Sequence, residues 1–185
     1  ATAATVIPAL AKKAAHVTML QRSPTYFFCA ENRNELADRL REVGIDEPTI
    51  HRVVRAQILH DQQVLTRRCL EEPETVFEEL KALVRQYAGE DFQFEPHFTP
   101  KYRVWQQRLA FCPEGDIFKA AAQGKVSVVT DTIDTFTEKG VRTSSGQEIE
   151  ADIIVAATGF RLSVMGDIPF EVDGKPLDWH ETITY

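Results

Sequence analysis

The sequence lacks a glycine-rich phosphate loop: its nine glycines are scattered and no Gly-x-Gly occurs in it. Cysteine is scarce as well. Cys29, Cys69 and Cys112 are odd in number, widely spaced and free of any Cys-x-x-Cys pair, so neither a disulfide framework nor a zinc site is indicated. Buried thiols in a reducing cytoplasm are the expectation. No apolar run approaches the ~20 residues needed to span a bilayer, and the chain shows no secretory leader, which again points to a cytoplasmic protein. An excess of positive charge is also missing. Against 28 Asp and Glu stand 21 Lys and Arg, and the resulting charge of -7 argues against nucleic acid or an anionic membrane as partner.

What is present is a 185-residue chain, 43% apolar and 26% charged, sized for one globular domain or a domain with a small insert. Such a chain buries roughly 70% of its unfolded surface. It opens on a helix-like stretch in which Val6, Ile7, Leu10, Ala11 and Ala14 form one apolar stripe suited to covering a sheet. Pro8 is expected to bend that helix or mark its first turn. The strand-like run Val17-Thr18-Met19-Leu20 follows, and then Gln21-Arg22-Ser23-Pro24. In a strand, glycine loop, helix, strand unit, the side chain roughly 20 residues past the loop meets the adenosine ribose; an acid there accepts the 2′-hydroxyl, whereas an Arg accommodates a 2′-phosphate. Arg22, with Ser23 beside it, therefore selects NADP(H). The missing loop is reconciled if residues 1–3 are the tail of the fingerprint, with Thr2 against the phosphates and Ala3 at the third position, where Ala permits close packing. The chain then reads as a fragment cut inside its own phosphate loop. The alternative for Arg22 is a solvated charge after an edge strand.

From Glu31 the pattern becomes helical. Leu36, Leu40 and Val43 end at Gly44; Asp46 and Pro48 start a helix carrying Ile50, Val53, Val54, Ile58, Val64 and Leu65; a third follows Glu72-Pro73 and stops at Gly89. These form a helical insert over 31–95, with its charges on solvated faces. Residues 98–109 make an aromatic, basic loop, Pro113-Glu114-Gly115-Asp116 caps a short helix, and Gly124 closes it. From Val126 to Glu150 the period falls to two, with turns at 138–140 and 145–146, which predicts an antiparallel β-meander. It feeds Ala151–Phe160, a continuous apolar run expected to be a buried parallel strand. Residues 170–176 carry a last hairpin signal. The expected architecture is α/β: the start of a Rossmann-like dinucleotide-binding domain over 1–30, the insert over 31–95, the rest of that domain with its meander over 96–160, and a link over 161–185.

Residues 1–3 with the helix after them, the Gln21-Arg22-Ser23-Pro24 turn and the Asp152-Ile153-Ile154-Val155-Ala156-Ala157-Thr158-Gly159-Phe160 run together resemble the class B flavin-dependent monooxygenases. Within them they are most similar to the Baeyer–Villiger enzymes. The resemblance covers nearly the whole chain. It implies that the chain is the NADP-binding part of an enzyme whose FAD-binding domain lies largely outside it, and that the 152–160 run links the two domains, with Ala157, Thr158 and Gly159 beneath the cofactors, where small residues let backbone approach. It also implies that the 98–109 loop carries an arginine beside the flavin. Arg108 matches that position, and would stabilise the negative flavin peroxide and later hold the nicotinamide. The residue before it in the family is often a Lys for the 2′-phosphate; here it is Gln107, which leaves more of that duty to Arg22 and Ser23. The alternative for Arg108 is an ion pair with Glu114 or Asp116.

The function implied is an FAD- and NADPH-dependent monooxygenase acting on a small molecule and dioxygen, oxygenating a ketone or a sulfur or nitrogen centre. No metal is called for. Two other readings stand beside it: an NADPH-dependent flavoprotein of the disulfide-reductase kind, disfavoured by the absence of Cys-x-x-Cys, and a non-catalytic nucleotide-binding or interaction module.

Overall fold

Two pairs of parallel strands, each closed by a long helical crossover, form the centre of the protein. In the computed structural model, which describes residues 2–160, 166, 168–178 and 182, helix α1 (Thr2–Ala11) leads through residues 12–16 into strand β1 (Val17–Gln21), and β2 (Phe27–Ala30) follows. Helices α2 (Glu35–Glu42), α3 (Glu47–Glu71) and α4 (Pro73–Ala88) come next, then β3 (Ala110–Pro113), α5 (Asp116–Ala122) and β4 (Val126–Thr130). Strands β5 (Ile133–Thr137), β6 (Gly140–Thr143) and β7 (Glu148–Glu150) form an antiparallel sheet. Strands β8 (Phe170–Val172) and β9 (Lys175–Leu177) make a separate hairpin. The result is a mixed α/β protein. Its contacts divide it into two compact units, Ala1–Val155 and Ala156–Tyr185.

Strand β1 lies parallel to β4, with Val17 opposite Val126 and Gln21 opposite Thr130. Strand β2 lies parallel to β3, with Phe27 opposite Ala110 and Ala30 opposite Pro113. Parallel neighbours cannot be joined by a tight turn and need a crossover of a dozen or more residues. The three-helix segment α2–α4 supplies that crossover for β2 and β3, so the insert is part of the sheet's connectivity. Its helices begin and end where local chemistry dictates: Asn34 and Asp46 accept the N–H groups of Ala37 and Thr49 as N-caps, and Pro48 and Pro73 sit in first turns. At the α3–α4 corner, Arg68 donates to Glu72 at 2.6 Å and as a fork to Glu79 at 2.6 and 3.0 Å.

The main core joins α1 (Ala4, Ile7, Ala11) to Met19, Phe27, Cys29, Cys112, Phe118 and Val126. Phe118, 1% exposed, stands at ring-centroid distances of 5.2 Å from Phe27, 5.2 Å from Phe98 and 5.5 Å from Phe92. These are the edge-to-face and tilted geometries that aromatic quadrupoles favour. Gly115 opens α5 at φ 60°, and a Cβ there would meet the Tyr87 ring at 2.3 Å, so only glycine lets α4 and α5 close on each other. A second cluster, Tyr26, Cys69, Val76, Leu80 and Val104, seats the insert against the aromatic loop that precedes β3.

Several expectations need correction. Strand β4 belongs to the parallel pair with β1, so the antiparallel meander starts only at β5. Alternation of apolar residues shows that a strand is half-buried but not which strand it pairs with. Strands β2 and β3 were not anticipated, because Phe27–Ala30 and Ala110–Pro113 are each too short to show a period. The run Ala151–Phe160 is not a buried strand: it makes no ladder among the described residues, and Ile153 is 81% and Phe160 95% exposed. An extended segment has no hydrogen bonds of its own and becomes a strand only against a partner edge. The hairpin over 170–177 is present, its turn made by Asp173 and Gly174 at φ 52° and 73°, the pattern of a type I′ turn.

Removal of the central ring should be the costliest single change in the core. Phe118→Ala is expected to lower the unfolding free energy by about 3–5 kcal/mol. Urea denaturation checks this through the midpoint at constant slope; a loss under about 1 kcal/mol would mean that the four rings do not depend on one another.

Candidate functional site

Strand β1 delivers its last residue, Gln21, to a point where three separate segments meet. The Gln21 carbonyl accepts the N–H of Asp131 at 2.9 Å, continuing the β1–β4 ladder one step. Its side-chain Nε2 donates to the His97 carbonyl at 2.7 Å and to Thr130 Oγ1 at 2.9 Å. The His97 ring in turn meets Thr130 Oγ1 through Nδ1 at 2.8 Å. Beyond this anchored position Arg22 and Ser23 are both exposed, and Arg22 has no ion pair among the described residues.

Helix α1 packs on β1 and returns to it through residues 12–16, so the two elements run in opposite directions. Helix α1, about 15 Å long for its 10 residues, begins at Thr2 and is joined to β1 by residues 12–16. Thr2 is exposed and Ala3 half-buried, and the first turn of α1 contains no acid. Its free N–H groups and the positive end of the helix dipole therefore meet no carboxylate from the helix's own first turn.

The turn after β1 is tied to the loop before β3. Thr25 Oγ1 donates to the Arg108 carbonyl at 3.4 Å, Tyr102 Oη donates to Thr25 Oγ1 at 3.1 Å, and Tyr26 Oη donates to the Tyr102 carbonyl at 2.6 Å. The Tyr26 and Tyr102 rings meet edge to face at 5.3 Å. Burial, with Tyr102 and Glu74 nearby, pushes the Tyr26 hydroxyl above its ordinary pKa, so it stays a neutral donor. The loop is also held from the insert, where Arg103 Nη1 donates to the carbonyl of Cys69 at 2.9 Å. Trp105 adopts φ 66°, a left-handed conformation that a bulky residue keeps only under tertiary constraint. Gln107 and Arg108 emerge exposed from this clamped loop. The ion pair weighed for Arg108 is not formed: Glu114 Oε1 instead accepts the N–H of Asn32 at 2.9 Å, and neither Glu114 nor Asp116 is bridged to Arg108 among the described residues.

Two groups of residues expected at the site are thus brought together, Arg22 with Ser23 and Gln107 with Arg108, through Thr25. Ala157, Thr158 and Gly159 belong to the second compact unit; Thr158 and Gly159 are exposed, and Gly159 sits at φ 91°, a conformation that favours glycine. Sequence reasoning missed Gln21, His97, Thr130 and Asp131. Gln21 adjoined the recognised Arg22, but nothing local marks His97 or Thr130, whose partners are distant in sequence.

An exposed guanidinium and hydroxyl such as those of Arg22 and Ser23 are groups suited to a phosphate monoester, and the exposed guanidinium of Arg108, on a hydrogen-bonded loop, is suited to negative charge. The class defined by the fold is thus a mixed α/β protein, with Arg22 and Ser23 exposed at the end of β1. Sequence comparison carries it further. Over its whole length the chain is 40% identical to FAD-containing monooxygenase EthA of Mycobacterium tuberculosis, in an alignment of 186 residues that covers 38% of that protein. It is 39% identical to the probable FAD-binding monooxygenase AlmA of Acinetobacter baylyi, covering 37% of it, and 40% identical to the putative FAD-containing monooxygenase MymA of M. tuberculosis, covering 38%. Over its whole length the chain is thus similar to FAD-containing monooxygenases. It spans a little over a third of the length of these relatives. No family model and no solved structure matches it. Among the described residues no helix is long and apolar enough to cross a membrane.

Asp131 supplies the site's pH dependence. Hydrogen bonds from the Ser145 and Thr143 side chains and from the Thr132 and Ser145 N–H groups hold its pKa at about 2, against an ordinary 3.8. A carboxylate whose folded pKa is depressed contributes stability that is complete above the ordinary value and is lost as pH falls through the folded one. Asp131→Ala should therefore destabilise the protein at pH 5 to a greater degree than at pH 2, the difference closing between roughly pH 4 and pH 2. Denaturant titrations across that range check it, and a difference constant with pH would show that the carboxylate charge is not what holds the meander to β4.

Proposed function

We propose that this chain is the NADP-binding portion of an FAD- and NADPH-dependent monooxygenase, with residues 1–30 and 96–160 forming a Rossmann-like domain interrupted by the helical insert 31–95. Residues 161–185 lead toward the FAD-binding domain. The supporting observation is the hydrogen-bonded link from the turn carrying Arg22 and Ser23, through Thr25, to the loop carrying Gln107 and Arg108. It joins a cofactor-selecting cation and a cation suited to the reacting centre in one braced unit.

In this reading Arg22 and Ser23 bind the 2′-phosphate of NADP(H), and Thr2 and Ala3 lie along the pyrophosphate at the start of α1. Gln107 contributes a neutral contact where a second cation would otherwise assist. FAD, when bound, would supply the redox chemistry with the reduced nicotinamide and dioxygen. Arg108 holds the negative charge that develops beside it, and Ala157, Thr158 and Gly159 allow the cofactors to lie against backbone. The substrate is a ketone that undergoes Baeyer–Villiger insertion, or a compound oxidised at sulfur or nitrogen. A disulfide-reductase role is disfavoured, since Cys29 and Cys112, opposed across β2 and β3, are wholly buried in the core.

Arg22→Ala in the full-length enzyme is expected to raise KM for NADPH by at least about tenfold, the loss of a charge-assisted contact, and to leave NADH oxidation nearly unchanged; equal losses with both cofactors would refute the phosphate assignment. Arg108→Ala should still consume NADPH, yet release hydrogen peroxide in place of oxygenated product, with product formation reduced on the order of a hundredfold. Parallel assays of NADPH, peroxide and product decide it, and undiminished product would leave Arg108 a merely structural residue.

A further inference from the structure

Gln21 is held by the side chain on two sides, and the hydrogen bonds fix the chemistry of the group that holds it. A backbone carbonyl can only accept, so the Gln21 atom 2.7 Å from the His97 carbonyl must be the amide nitrogen. Its second hydrogen goes to Thr130 Oγ1. The Thr130 hydroxyl, which accepts there, also shares a hydrogen bond with His97 Nδ1 at 2.8 Å, and with one proton and two lone pairs it can take either role in that bond. Gln21 is the residue from which Arg22 departs.

We propose that His97 is a positioning residue for cofactor selection: its carbonyl and its Nδ1 together lock Gln21 and Thr130 at the ends of β1 and β4, and so set the direction in which Arg22 leaves the strand. The proposal rests on the reading of Arg22 as the 2′-phosphate ligand and deepens it. His97 itself need not touch the cofactor. The physical reason is preorganisation. A guanidinium on a long flexible stem binds a phosphate well only if its backbone origin is fixed beforehand, because freedom lost on binding is subtracted from affinity. The aromatic neighbours Phe92 and Phe98 hold the His97 segment to Phe118, so the fixed point of this lock is the main core.

The test uses the full-length, FAD-loaded enzyme, with steady-state oxidation of NADPH and of NADH measured for His97→Leu, His97→Asn, Thr130→Val and Arg22→Ala. Asn can place a polar atom, acceptor or donor, close to the position of Nδ1, whereas Leu removes that partner and Val removes the hydroxyl. His97→Leu and Thr130→Val are each expected to raise KM for NADPH by about five- to tenfold, the range of one lost hydrogen bond, with kcat and the constants for NADH nearly unchanged. His97→Asn should restore KM for NADPH to within about twofold, since the hydrogen bond is kept. Equal effects on NADPH and NADH, no effect on either, or failure of Asn to rescue would each overturn the positioning role. If His97→Leu fails to fold, Thr130→Val alone decides by the same selectivity. Arg22→Ala separates the two levels: without a loss selective for NADPH the cofactor reading fails, and with one the behaviour of His97 and Thr130 judges the positioning role alone.

Discussion

Packing of the Phe118 ring against Phe27, Phe92 and Phe98 is the interaction on which the rest of the structure depends. The rings come from three parts of the chain. Phe27 begins β2, immediately after Thr25 and Tyr26; Phe92 and Phe98 belong to the segment that contains His97; Phe118 lies on α5, which joins β3 to β4. Burying these rings together is worth several kcal/mol beyond what local propensity could supply, and it fixes three polar segments relative to one another. The candidate site is assembled from the margins of this cluster.

A division of labour follows. Apolar side chains bring the segments near, but dispersion and burial are non-directional and leave a loop free to turn on its contacts. The hydrogen bonds at the margin remove that freedom: Gln21 to His97 and Thr130, Tyr26 to Tyr102, Thr25 to Arg108, Arg103 to Cys69. Each is worth only about 1 kcal/mol in net stability, yet each sets where an exposed functional side chain starts. The three-helix insert takes part through Arg103 and the second apolar cluster, so it braces the loop that carries Arg108 while also closing the β2–β3 crossover.

Elements whose signal lies in adjacent residues were legible without coordinates. The start signal at Asp46, the prolines at 48 and 73 and the stops at Gly44 and Gly89 bounded the helices, because capping is a matter between residues three or four apart. Arg22 could be singled out because its significance is a spacing from the helix start. Where pairing partners lie far apart the reading failed. The pattern joins Val126–Thr130 to the meander, leaves β2 and β3 without a signal and makes a strand of Ala151–Phe160, since apolar alternation or continuity tells that a segment wants a partner and not whether or where it finds one.

By itself the sequence determined the helical boundaries, the α/β character, a family resemblance through its motifs, and the residue types presented at positions 22, 23 and 108, all of which depend on local order along the chain. Only the tertiary structure decided that the turn after β1 and the loop before β3 share a hydrogen-bonded frame, that Glu114 is committed to Asn32 and leaves Arg108 unpaired by it, and that His97 and Thr130 bear on Gln21. The reason is that a hydrogen bond between residues 76 or 109 positions apart leaves no trace in the neighbourhood of either one. Such contacts exist because the core brings the segments together, and they become visible only once it has.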